Sequence, residues 1–237
     1  MRCYEFRRRY SESLSSSTVT LSAYTSTPPV IDGVIGANEW ANAATQTFVT
    51  NQVNPPYQGK IYVMNDATHL YIAFALSGGT ITPSPLLITI FDNNNTGTVV
   101  AGDDSLVFTP AEPSSYVDEF VQSVNSTLIA FYPDVLAGGT SDAVAAYTSD
   151  GTTDYFEFSH SLCSGDVHDF CLHVGDTVGF DTLYSSNCPV SCPVGSWPQN
   201  SGPYPDASGF GKIVIAGPTS GVPPFSPQSI CQLARQP

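Results

Sequence analysis

Apolar residues along this chain come in short runs, and no long stretch keeps the spacing of an amphipathic helix. Nineteen glycines and nineteen prolines punctuate the 237 residues between them. Such a pattern allows many short strands joined by turns and little else, so the predicted class is all-β. The length suits one large domain with tails. Strands are predicted at Phe48–Asn51, Lys60–Asn65, His69–Leu76, Leu86–Phe91, Ser105–Thr109, Ser126–Phe131, Ala143–Thr148, Tyr155–His160, Thr177–Ser185 and Gly211–Ala216. One short helix is expected over Ala37–Ala43. Residues 1–27 form a basic, then Ser-rich N-terminal extension, 28–217 a β-sandwich, and 218–237 a Pro-rich C-terminal tail.

The stretch Leu86–Phe108 carries the clearest chemistry. Two apolar runs flank DNNNTGTVVAGDD, which fits a calcium-loop template with Asp92, Asn94 and Thr96 at positions 1, 3 and 5. Gly97 falls at the turning position 6 and Asp103 at position 12, where Glu is usual; Asp104 is a further candidate ligand. Calcium takes six to eight oxygens, and alternate side chains around a sharp glycine turn supply most of them. Strands rather than helices flank this loop, and a plain polar hairpin is the competing interpretation.

Net charge is −14, and Arg2, Arg7, Arg8 and Arg9 hold four of the seven positive charges. The acidic remainder disfavours nucleic acid and anionic membranes and attracts divalent cations. No run approaches a membrane span, so membrane insertion is not expected. Six cysteines admit fifteen pairings. Local spacing favours Cys163–Cys171 and Cys188–Cys192, which leaves Cys3–Cys231; zinc on Cys188 and Cys192 together with the earlier pair is the alternative. Asn94 and Asn125 begin glycosylation acceptor triplets. Few lysines, abundant Ser and Thr and paired cysteines suggest a secreted, extracellular protein. The first 25 residues nevertheless lack the apolar segment of a signal peptide.

In order along the chain, PVIDGVIGANEW (Pro29–Trp40), YVMNDATHLYIAFAL (Tyr62–Leu76), ITIFDNNNTGTVVAGDD (Ile88–Asp104), YFEFSHSL (Tyr155–Leu162), GDTVGFDTLYS (Gly175–Ser185) and WPQNSGPYPDASGFGKIVI (Trp197–Ile215) resemble the family 9 carbohydrate-binding modules and related DOMON-like sandwiches. The resemblance implies a jelly-roll-like antiparallel β-sandwich, structural calcium, a polysaccharide or glycan ligand, and no catalysis. Members of the family clamp a sugar ring between two tryptophans. Trp197 matches the later one, and Tyr204 in the same closing stretch is the second candidate sugar contact. The earlier tryptophan is replaced by Pro83-Ser84-Pro85, and Phe108 stands near where the family has an arginine. Trp40 matches the buried tryptophan of the family.

Enzyme signatures are missing: there is no G-x-S-x-G, no H-E-x-x-H and no phosphate loop. His168 and His173 flank Cys171 in CSGDVHDFCLH, which suits a small disulfide loop or a metal cluster. Asp118-Glu119 and Glu157 are carboxylates of the type glycosidases use; Glu157 alternates with Phe156 and Phe158 as an outward strand residue would. Thr18–Tyr24 alternates like a strand. It either adds to a sheet of its own chain or is donated to the next chain, which would build a homopolymer. Two functions are therefore carried forward, a glycan-binding module and a structural subunit of an extracellular filament or surface assembly.

Overall fold

The computed structural model of the chain describes residues 19–50, 53–79, 82–110, 112–126, 128–188, 194–198 and 204–218, and only the backbone of 2–5 and 115. Cys192, Cys231, the Arg7–Arg9 run and the 219–237 segment lie outside the described residues, as does the side chain of Cys3. The strands are β1 (Arg2–Glu5), β2 (Thr20–Leu21), β3 (Ala44–Val49), β4 (Gln58–Asn65), β5 (His69–Ser77), β6 (Leu86–Asp92) and β7 (Asp104–Phe108). They continue with β8 (Asp118–Val124), β9 (Leu128–Pro133), β10 (Val144–Ser149), β11 (Thr153–Ser161), β12 (Thr177–Ser185), β13 (Gly195–Trp197) and β14 (Gly211–Val214). A single helical turn, α1 (Asp134–Ala137), follows β9 and ends on Gly138, whose φ of 90° is the left-handed conformation that glycine tolerates.

Two sheets stack as a sandwich. One runs β1-β9-β8-β7-β6-β12-β14-β2 with β13 added on β12, the other β10-β11-β5-β4-β3. Pairing is antiparallel throughout the second sheet and, in the first, everywhere except between β2 and β14. The expected all-β sandwich is what the chain forms.

All seven residues of β6 are buried, because both faces of its sheet are covered. Leu87 and Phe91 point into the core between the sheets, beside Phe74, Phe156 and Phe180. Leu86, Ile88 and Ile90 point the other way and pack with Val121, Phe131, Tyr204 and Phe210. That two-sided burial is why the segment reads as a continuous apolar run and not as an alternating one. On the outer face of the five-stranded sheet, Trp40 packs with Met64, Tyr71 and Ala73. Trp40 is buried, as the family likeness implied.

Two expectations change. Residues 37–43 form turns and not a helix: Trp40 donates its backbone N–H to Gly36 O and Ala43 to Trp40 O, with no continuous ladder. The indole Nε1 donates to Glu157 Oε1 at 2.7 Å, so tertiary anchoring shapes this segment. Glu157 does face outward from its strand, yet it is fully buried, and its Oε2 accepts from the backbone of Asp32 (3.0 Å) and Gly33 (2.7 Å). Of the Thr18–Tyr24 region, the described residues 19–24 pair within their own chain. Thr20 and Leu21 align in parallel with Lys212 and Ile213, and Tyr24 bridges to Asn65.

Candidate metal centre

The β6–β7 loop adopts the turn its sequence suggests, but its carboxylates are engaged by the loop itself. Asp92 Oδ1 accepts from the backbone N–H (2.9 Å) and hydroxyl (3.2 Å) of Thr96, and Oδ2 from Gly97 N–H (2.7 Å). Asp103 Oδ1 accepts from Asn93 N–H (3.3 Å) and Oδ2 from Val100 N–H (2.8 Å). Asn94 is exposed, and Thr96 spends its hydroxyl on Asp92 and on Thr98 O. Burial pushes the Asp103 carboxyl up to about 6, against those two backbone donors and with Asp92 adding to the rise.

Asp104, the first residue of β7, takes part in a different set of contacts. It opens a buried cluster at one end of the sandwich. The nine-stranded sheet contributes Asp104 at the start of β7 and Asp118 at the start of β8. The five-stranded sheet contributes His160 near the end of β11. Asp169 arrives from the loop closed by the Cys163–Cys171 disulfide. One ligand atom from each of Asp104, Asp118, His160 and Asp169 lies within 4.8 Å of the others. Asp134, Asp166 and Asp169 make a second such group, sharing Asp169 with the first.

Local hydrogen bonds place these groups. Asp118 Oδ2 accepts from Asp142 N–H (2.8 Å) and Ala143 N–H (3.2 Å), and the Ser164 hydroxyl donates to Asp169 Oδ2. His168 stacks on Phe120 with ring centroids 3.8 Å apart, which seats the disulfide loop on β8. His160 Nδ1 lies 2.8 Å from Ser161 O, an acceptor only, so Nδ1 carries the proton. Nε2 then faces Asp118 at 3.3 Å, Asp142 at 3.6 Å and Asp104 at 3.7 Å.

The charge balance is lopsided. Six aspartates, Asp104, Asp118, Asp134, Asp142, Asp166 and Asp169, meet one imidazole. Two carboxylates 4.8 Å apart repel by about 3.5 kcal/mol at an effective dielectric constant of about 20. Among the described residues, no donor forms a hydrogen bond to Asp104 Oδ1, Asp169 Oδ1 or either oxygen of Asp134. Burial pushes Asp134 up to about 10, with Asp118 and Asp169 adding to it. Burial likewise holds Asp169 at about 6 and Asp104 well above the carboxylate range. For His160 burial acts downward, but Asp104, Asp118 and Asp142 outweigh it and hold the imidazole well above its usual value. Buried carboxylate oxygens with no donor are what a cation satisfies, and an oxygen-dominated set suits a hard divalent ion. Asp104, Asp118 and Asp169 would ligate it directly, with His160 as fourth ligand or as imidazolium counter-charge.

The remaining candidates fall elsewhere. Trp197 is 8% exposed, with Phe48 stacked on its face at 4.2 Å and Phe180 at its edge. Tyr204 is 5% exposed and donates its hydroxyl to Asp181 Oδ2 at 3.2 Å. Neither ring has a free face for a sugar. Phe108 packs on Tyr147 and Phe156. Cys163–Cys171 pairs as expected, and Cys188 is disulfide-bonded too. Asn125, like Asn94, is exposed. His173 lies at the surface, 3.4 Å from Asp176. In CSGDVHDFCLH it is the aspartates, not the histidines, that reach the cluster.

No family profile and no curated protein matches this chain. Among solved structures, a family 9 carbohydrate-binding module from Caldicellulosiruptor kristjanssonii in complex with cellotriose superposes with a TM-score of 0.57. The match has 15% identity and spans 86% of this chain and 96% of that one. A second structure of a family 9 module from that organism, in complex with glucose, gives a TM-score of 0.53 at 15% identity, over 86% of this chain and all of that one. The fold is therefore that of the family 9 sandwich.

Proposed function

We propose that this chain is a non-catalytic, secreted glycan-binding module whose sandwich is closed at one end by a buried calcium ion. The observation that supports the glycan is the whole-domain likeness to modules seen with cellotriose and glucose. What supports the cation is the set of buried carboxylates facing one another, several of whose oxygens no donor reaches among the described residues. The in-chain pairing of β2 with β14 favours this reading over the filament alternative, in which the strand would be donated to a neighbour. The burial of Trp197 against Phe48 supports a means of capture other than the tryptophan clamp. Screening the purified chain on a glycan array, with calcium and then with EGTA, tests this reading. Calcium-dependent binding to at least one glycan is the expected result, and no binding in either condition rejects it.

A further inference from the structure

Beside the buried cluster the surface opens into a cleft of about 360 Å³ between residues 137–140 and 164–168. That volume lies within the range of small-ligand sites, about 300–1,000 Å³. We infer that this cleft holds a second divalent cation, on Asp134, Asp166 and Asp169, and that its open positions take adjacent hydroxyls of a neutral glycan. The glycan half of the inference rests on the function proposed above, whereas the cation half does not.

Three observations carry it. The ligand atoms of Asp134, Asp166 and Asp169 lie within 4.8 Å of one another, and Asp166 also lines the cleft. Asp134 is fully buried, and among the described residues no donor reaches either of its oxygens, although it stands three residues before the cleft wall of 137–140. The loop backbone also holds Asp166 in place: its Oδ2 accepts from Thr140 N–H at 2.6 Å and its Oδ1 from His168 N–H at 3.1 Å.

Three carboxylates leave a calcium ion several coordination positions short of its six to eight. Residues 136–138, 164, 165 and 167 around them are exposed, Val167 at 85%, so the missing oxygens come from water or ligand. Paired sugar hydroxyls replace two waters without bringing charge, which suits a chain of net charge −14 that repels polyanions. The ion in the deeper group, walled by both sheets, has no such open side.

The test is calorimetric titration of the EGTA-treated chain with calcium chloride, followed by glycan binding. The wild type should bind two ions, and Asp166→Asn should bind one while keeping its calcium-dependent rise in melting temperature. Thr140→Lys is the second variant. Thr140 is exposed, and its hydroxyl lies 3.4 Å from Asp166 Oδ2, so the new ammonium displaces the ion without touching the core. Both variants should lose at least about tenfold in glycan affinity. A wild type that takes up one ion overturns the inference. Variants that still bind two ions, or that bind glycan like the wild type, also overturn it and leave the glycan-binding function standing. A wild type that binds two ions but no glycan rejects the ligand half together with the proposed function.

Discussion

Asp118 and Asp92 are both acidic residues at strand ends, yet they behave differently. Asp92 closes its own loop through three hydrogen bonds, and Asp118 faces the shared cluster. Asp118→Asn should therefore reduce the calcium-dependent rise in melting temperature. Asp92→Ala should lower the melting temperature with and without calcium while the increment survives. Scanning fluorimetry of both variants checks this, and loss of the increment in Asp92→Ala returns the ion to the β6–β7 loop. Trp197→Ala should cost about 3–5 kcal/mol in urea unfolding, the range for emptying a large aromatic site in a core. A Trp197→Ala protein as stable as its parent would contradict the stacking on Phe48. The turn that Asp92 closes was readable in the sequence because its partners are four and five residues away. Asp118 was not, because its partners lie up to 51 residues further on and no local spacing records them.

At the scale of elements, β6 and β12 could be recognised from their apolar runs, but β8 was missed. Its first residues are Asp118 and Glu119, which read as surface charge; both are buried. One of the strands overlooked in the sequence is thus one that carries the site. The disulfide loop shows a similar pattern, in which Cys163–Cys171 follows from spacing but the direction of Asp166 and Asp169 depends on Phe120 receiving His168. Replacing both cysteines by Ala should cost about 2.5 kcal/mol through loop entropy and weaken calcium binding by about tenfold or more. Unfolding in urea and calcium titration measure the two effects separately. Near the same end, β2 depends on β14, and Asn65 exchanges backbone hydrogen bonds with Ala23 and Thr25. Removing residues 1–27 should lower the melting temperature of a chain that light scattering finds monomeric beforehand. A polymer that falls apart into folded monomers would contradict the in-chain pairing.

For the molecule as a whole, the buried acids reverse the usual response to pH when the ion is withheld. Asp103 and Asp169 titrate at about 6 in the folded chain against an ordinary 3.8, so the native state holds protons that the unfolded chain has released. Their contribution to stability is complete below pH 3.8 and disappears as pH rises through about 6. His160, also raised, acts in the same direction. In EGTA the melting temperature should fall between pH 4 and pH 7, a window bounded by those values of 3.8 and about 6, and calcium should flatten the slope. A chelated protein that gains stability across that window contradicts the raised carboxyls. The cluster also imposes an order in time. Asp104 and Asp118 leave the ribosome well before His160 and Asp169, so the repelling acids exist long before the segments that complete their cage. Closing that end must wait for contacts distant in sequence, which are slow to form. Refolding begun in EGTA should therefore pause with this end ajar, and adding calcium late in a stopped-flow experiment should release it in a single fast phase.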